Sequence, residues 1–215
     1  MNILFAASEV VPFAKTGGLA DVANALPIEL SRLGHNVTVM LPAYRCTEHC
    51  GVPIETTPHH FDVPIGSKLV PGRLLRSQLP GSSVTVYLVD QPDYFHRAEL
   101  YREKGEDYRD NCERFAFFCR GVMEAIRILD LRVDVLHCND WQTGLIPAYQ
   151  QIEYRHVRTY ANISTLMTIH NMAYQGLFEP DWLPRLDLPW SLADMAHMEF
   201  WGKISFLKAG IMMPA

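Results

Sequence analysis

The opening of this chain leaves it little choice of fold. An apolar run over residues 2–7 is followed by a polar turn containing Pro12 and then by Lys15-Thr16-Gly17-Gly18. From Leu19 onward the apolar residues Val22, Ala23, Leu26, Leu30 and Leu33 recur three or four apart, the spacing of one face of an α-helix. Gly34 supplies a stop, and residues 36–41, β-branched and apolar, read as a second strand closed by Pro42. Strand, helix and strand in that order are the unit of a parallel sheet with a right-handed crossover. Pro27 falls inside the helix, where it removes a hydrogen bond and crowds the turn before it, so a local kink is expected.

The pattern then changes and returns. Residues 61–65, 73–78 and 84–89 are short alternating segments separated by Pro-Gly and Pro-Gly-Ser-Ser turns, and they predict a β-hairpin excursion. Residues 93–110 form a charged loop, too polar for a core and too long for a simple connection. Residues 110–129 give the clearest helix, opening on an Asp110-x-x-Glu113 pair that resembles a capping box. Cys112 and Cys119 lie on its apolar stripe with Phe115, Val122 and Ile126 and read as core. A strand over 133–138, a short helix over 141–151 and a strand over 164–169 resume the α/β alternation. Prolines 180, 184 and 189 then indicate loops, and a last helix is expected over 192–209.

Composition removes several classes of function. The 215 residues are 48% hydrophobic and 20% charged, which suits one large globular domain. Nineteen basic and twenty-four acidic residues give a net charge of -5, with no basic run to neutralise a phosphate backbone, so nucleic acid is not an expected partner. No apolar stretch reaches membrane-spanning length and no signal-peptide pattern opens the chain, so neither membrane nor secretion is expected and the location is read as cytoplasmic. Five cysteines, an odd number, argue against a disulfide framework. Cys46, His49, Cys50, His59 and His60 superficially suggest zinc, but their spacing lacks a paired Cys-x-x-Cys or a His-x₃₋₅-His.

In an open parallel sheet, ligands bind beyond the carboxyl ends of the strands, so the informative residues follow strands. After the first strand, Gly17 and Gly18 permit close backbone approach, the helix N-terminus offers free amides, and Lys15 adds a point charge, which together suit a phosphate. The alternative is a plain glycine turn beside a solvated lysine. No acid ends the second strand to hold a ribose, which argues against NAD, and Lys15 precedes the glycines rather than following them, which argues against a P-loop. Two further clusters end later strands: His137-Cys138-Asn139-Asp140-Trp141-Gln142 and Thr168-Ile169-His170-Asn171, running on to Gln175 and Gly176. Asp140 could instead be a helix cap, and His170 a satisfied core histidine.

At these residues the chain resembles glycosyltransferase family 5, the bacterial glycogen synthases and plant starch synthases. The motifs that carry the likeness run in order across nearly the whole sequence: Ser8-Glu9, Lys15 to Val22, Leu41-Pro42, His137-x-x-Asp140-Trp141, Thr168 to Gly176 and Ser205 to Gly210. The resemblance implies residues 1–215 as the N-terminal, Rossmann-like, acceptor-side half of a GT-B fold: an α/β domain with a parallel sheet flanked by helices and a β-hairpin insertion. It implies transfer of glucose from ADP-glucose to the non-reducing end of an α-1,4-glucan, with retention and without a metal or other cofactor. Lys15 would contact the sugar nucleotide, with Gly17 and Gly18 against its diphosphate. His170 and Asp140 would lie at the reacting sugar, and Asp21, Tyr101, Asn171 and Gln175 would touch substrate or acceptor.

No paired carboxylates mark a double displacement, so attack on the leaving-group face is favoured, with stabilisation of the departing diphosphate as its main requirement. Two departures stand out. Asn139 replaces a histidine often found before the aspartate, which counts against a proton relay there. The family also continues into a second domain where this sequence ends at Ile211-Met212-Met213-Pro214-Ala215, so an incomplete catalytic half with an apolar face is expected. The other reading is a non-catalytic glucan-binding or regulatory module that grips its ligand through Tyr94, Phe95 and Tyr101.

Overall fold

The computed structural model describes residues 1–213; Pro214 and Ala215, the end of the expected 1–215 domain, lie outside the described residues. The first five strands are β1 (Asn2–Ala6), β2 (Asn36–Pro42), β3 (Glu55–Ile65), β4 (Lys68–Gln78) and β5 (Thr85–Asp90). A two-residue hairpin, β6 (Arg102–Glu103) and β7 (Glu106–Asp107), precedes β8 (Val135–Asn139) and β9 (Ser164–Thr168). One seven-stranded sheet runs in the order β3-β4-β5-β2-β1-β8-β9. Pairing is parallel from β5 through β2, β1 and β8 to β9, and antiparallel from β5 to β4 and from β4 to β3. Phe5 and Ala6 in β1 are fully buried, as a central parallel strand covered on both faces requires.

Helix α1 (Leu19–Arg32) makes the first crossover and buries Leu19, Ala20, Ala23 and Pro27. It runs unbroken through Pro27 to a left-handed Gly34 at φ 88°. There the Gly34 amide donates to the Ser31 carbonyl at 3.0 Å and the His35 amide to the Leu30 carbonyl at 3.1 Å, a Schellman ending that a side chain at Gly34 would strain. The expected excursion exists but is not separate from the main sheet. Its third segment is β5, parallel to β2 from Thr38↔Thr85 to Pro42↔Val89, because Val86, Leu88 and Val89 are buried and need cover on both faces.

The segment expected to be a polar loop is partly core. It contains the short helix α2 (Pro92–Phe95), and Tyr94, Phe95 and Leu100 are buried. The agent is Arg114 in α3 (Asn111–Ile128), whose fully buried guanidinium donates to the carbonyls of Tyr94 at 2.6 Å and Leu100 at 3.0 Å and to Asn111 Oδ1 at 2.6 Å. Tyr94 and Phe95 are therefore not available as glucan platforms. The capping box does not form either: Asp110 makes no side-chain cap and pairs with Arg97 at 2.5 Å, while Glu113 accepts from the Tyr94 hydroxyl. Cys112 and Cys119 are buried in the core, as expected.

The helix expected over 192–209 is mostly absent. A 3₁₀ turn at Trp190–Leu192 gives way to a three-stranded patch of β10 (Leu177–Phe178), β11 (Glu199–Phe200) and β12 (Lys203–Ser205), and helix begins only at α5 (Phe206–Met212). Two local preferences override the apolar pattern. Asp194 Oδ1 accepts from the amides of Ala196 at 3.0 Å and His197 at 2.9 Å, and the chain reverses at Trp201 and Gly202, both with positive φ. Ser205 then caps α5 by accepting from the Lys208 amide at 3.0 Å. A short helix α4 (Leu145–Tyr149) packs on α5 where Gly144 approaches so closely that an added Cβ would stand 2.0 Å from the Phe206 carbonyl oxygen. Gly144→Ala should therefore cost about 2 kcal/mol or more, as overpacking against rigid backbone does. A urea midpoint equal to that of the parent chain would contradict this contact.

Candidate functional site

Beyond the carboxyl ends of β1, β8 and β9 lies a cleft of about 930 Å³. Its lining includes Gly17 and Gly18 after β1, Asp140 to Gln142 after β8, His170, Asn171 and Gln175 after β9, and Tyr101 from the long connection before α3. The three clusters read from sequence converge because parallel pairing sets β1 beside β8 and β8 beside β9, with Ala6↔Cys138 and Asn139↔Thr168 among the register partners. Seven of the nine nominated residues line the cleft. Lys15 and Asp21 do not: they pair with each other at 2.6 Å, both half exposed. A pair so solvated is worth about 0–1 kcal/mol, so an arriving anion can outbid the aspartate for the lysine.

The glycine loop is held by a residue to which sequence reasoning gave no role. Glu9, 4% exposed, accepts from the Thr16 amide, from Thr16 Oγ1 at 2.6 Å, from the Gly17 amide at 3.1 Å and from the Tyr101 hydroxyl at 2.7 Å. Tyr101 also lies 2.8 Å from Ser8 Oγ. Its single proton goes to the carboxylate, which can only accept, so Ser8 donates to Tyr101. Burial holds the Tyr101 phenol well above its usual range, with the neighbouring Tyr44 and Glu9 adding to the rise, so it stays a donor. The signal was present as the Ser8-Glu9 pair directly after the strand, but a lone acid in a turn does not announce which amides it will hold.

Past Glu9 the loop is open. Helix α1 has no side-chain cap, and a Cβ built at Gly17 or Gly18 would meet nothing within 4 Å. Gly18 has an ordinary φ of -72°, so the fold itself does not demand glycine there. What glycine provides is approach: backbone amides at a helix N-terminus, reachable from the cleft.

Asp140 stands at φ 57°, ψ -179°, a region costly for a residue with a side chain. It occupies the N-cap position of a 3₁₀ turn but makes no cap. Instead Oδ1 accepts from the His170 amide at 2.7 Å, tying the β8 end to the β9 end. Burial raises its pKa, against the lowering effect of the His170 amide and of the His170 charge. The His170 ring meets Asn139 Oδ1 at 3.1 Å, so it is neither free nor packed in a core. Gln175 is held by its own bond to the Met172 carbonyl at 2.7 Å, and Asn171 caps the Ala173 amide at 3.0 Å. Cys46 and Cys50 each donate to a backbone carbonyl, and among the described residues no three His, Cys, Asp or Glu side chains gather to hold a metal ion. No helix among the described residues is long and apolar enough to cross a membrane.

These features define a class first. The structure superposes on the catalytic domain of starch synthase IV from Arabidopsis thaliana, described as bound to ADP and acarbose, with a TM-score of 0.87 and 26% identity over 99% of this chain and 43% of that one. The fold is that of a GT-B glycosyltransferase domain. The family model for the starch synthase catalytic domain matches residues 2–214. A glycogen synthase from Syntrophotalea carbinolica is 46% identical over 98% of this chain and 43% of its own length. A glycogen synthase 2 from Geobacter metallireducens is 44% identical over 99% of this chain and again 43% of its own length. The chain therefore belongs to the starch synthase catalytic-domain family of glycosyltransferases, and it spans less than half the length of the relatives it matches.

Two predictions come from this geometry. Glu9→Gln turns an acceptor of several bonds into an amide that must also donate, which should cost about 1.5–3 kcal/mol. Hydrogen exchange at the Thr16 and Gly17 amides should quicken in step, and unchanged protection would remove Glu9 as the loop's anchor. The second concerns His137, 6% exposed, whose pKa is lowered to about 4 by burial first and by the His170 charge second. Between pH 6.5 and about 4 the unfolded chain takes up a proton at this residue that the folded chain refuses, so stability falls as pH falls through that window. The loss at His137 should reach about 3 kcal/mol at most. Urea titrations at pH 7 and pH 4.5 on the parent and His137→Gln check it: the variant should lose less stability than the parent, and equal losses would refute the assignment.

Proposed function

We propose that this domain is the acceptor-side half of an ADP-glucose-dependent glycogen synthase, moving glucose to the non-reducing end of an α-1,4-glucan with retention. The observation that carries the reading is the open pair Gly17-Gly18 at the uncapped start of α1, facing the same cleft as Asp140 and His170. A diphosphate meets amides and the helix dipole at one end, and a sugar meets the strand-end residues at the other. Lys15, released from Asp21, adds charge to the leaving diphosphate, and stabilising that charge is the main electrostatic demand of same-face transfer. Asp140 and His170 border the reacting sugar, while Asn171 and Gln175 border the acceptor. Tyr101 acts chiefly through Glu9, since its hydroxyl is engaged there.

The remaining wall of the cleft, including the cations that clamp the diphosphate, comes in this reading from a second GT-B domain of the kind that more than doubles the length of the relatives. A cytoplasmic setting fits the five free cysteines. The test is incorporation of labelled glucose from ADP-glucose into glycogen, by this chain alone and by a version extended through the second domain of a relative. Turnover by the extended protein alone is the expected result; turnover by neither would overturn the reading. In the extended protein Lys15→Ala should weaken ADP-glucose binding about tenfold, the loss of one charged contact offset by the pair it leaves. Unchanged affinity in calorimetry would remove Lys15 from the donor site.

A further inference from the structure

We infer that Asn139 is a positioning residue that fixes the tautomer and the facing of the His170 ring. Asn139 ends β8, is fully buried, and reaches in three directions. Its carboxamide nitrogen donates to the Ala6 carbonyl at 3.0 Å and to the His137 carbonyl at 3.3 Å. Both partners are oxygens with no proton to give, so the carboxamide cannot be turned over: its nitrogen belongs at the carbonyls and its oxygen at His170. That oxygen, 3.1 Å from His170 Nε2, can only accept. In the neutral ring Nε2 therefore carries the proton, and Nδ1 is a bare lone pair with no partner among the described residues.

The ring has little freedom to escape this arrangement. The His170 amide is bound at 2.7 Å by Asp140, the residue next to Asn139, so two adjacent positions at the end of β8 hold the backbone and the ring of one histidine at the end of β9. His170 lines the cleft, so its neutral ring offers the occupant an acceptor and no proton. A group that can donate is matched there, and a phosphate oxygen is not. This deepens the functional reading above by separating the phosphate end of the cleft, at the glycine loop, from the end at His170 that takes a donor. It also gives Asn139 a reason to be an amide, since an amide alone combines two donations to fixed carbonyls with one acceptance.

The measurement is the imidazole nitrogen spectrum of the ¹⁵N-labelled, ligand-free chain at pH 8, with His170 assigned by its loss in His170→Gln. The expected result is an Nε2-protonated ring whose Nε2 proton exchanges slowly with water. In Asn139→Ala the Nδ1 shift should move toward the average of the two tautomers, and the Nε2 proton should exchange up to about tenfold faster, the loss of one hydrogen bond. Asn139→Asp keeps an acceptor and should restore the Nε2-protonated ring. An Nδ1-protonated ring in the parent chain overturns the inference even if Asn139→Ala fails to fold. So does an unchanged ring spectrum in an Asn139→Ala protein whose backbone spectrum is intact. No step of the measurement needs glucose transfer, so failure of the functional reading and failure of this one are separate results.

Discussion

The site depends on one buried carboxylate. Glu9 leaves the end of β1 and spends its acceptor capacity on the turn that leads into α1 and on Tyr101, which is more than ninety residues further along the chain. Without it, the amides of Thr16 and Gly17 and the Tyr101 hydroxyl would lose the one acceptor that ties them together. With it, the loop is fixed one residue short of the helix, and the amides that remain for a ligand are those at the start of α1. The same carboxylate anchors the long connection before α3, whose other end Arg114 pins to α3 through backbone carbonyls. Two charged groups, neither opposed by a formal counter-ion, thus shape the cleft by binding peptide groups.

The second constraint is the sheet order. β1, β8 and β9 are neighbours although long stretches of sequence separate them, and parallel pairing points all three carboxyl ends the same way. Asp140 shows how tightly the ends are joined. Its backbone is held at a positive φ that costs about 1–3 kcal/mol, and the arrangement returns a bond from its carboxylate to the His170 amide. Strain at a strand end is tolerated there because the neighbouring residues over-determine it: Asn139 is bonded to β1 through Ala6, and Thr143 returns its hydroxyl to the carbonyls of Asn139 and Asp140.

How far the sequence revealed this depends on the range of the interactions involved. The β1–α1–β2 unit was legible because its signals, periodic apolar residues and a terminal glycine, act within a few residues. The strand-end clusters were legible for a related reason: a parallel sheet converts sequence position into spatial convergence. The helix over 192–209 failed because Asp194 and the Trp201-Gly202 reversal imposed turns on a stretch whose spacing looked helical. The Asp110 and Glu113 capping box failed because distant partners, Arg97 and Tyr94, claimed both carboxylates. The acid that holds Lys15, Asp21, stands in the first turn of α1, but nothing in the spacing alone shows that the two side chains meet. Glu9 has no legible role in the sequence because its partners, the glycine loop and Tyr101, are brought together only by the fold.

A cleft proposed to take an anion should not be dominated by negative charge, yet Glu9, Asp107 and Asp140 border this one, with Arg102 and Arg109 beside them. For Glu9 and Asp140 the conflict is eased by the way each carboxylate is paired. The charge of Glu9 is spread over two amides and two hydroxyls, so its field is largely met by N–H and O–H dipoles before it reaches the cleft. Asp140 turns an oxygen away to the His170 amide, which takes up part of its charge. Positive partial charge is left at the start of α1, which has no side-chain cap, and Arg102 and Arg109 add full charges to the cleft lining. The chain as a whole carries a charge of -5, so positive potential in the cleft is local, set by the helix start and those two guanidinium groups and not by the protein's overall charge. In the proposed reading, the donor end of the cleft is thus built from peptide geometry together with two arginines of the connection before α3, so a glycine pair and a buried glutamate mark it in the sequence alongside its cations.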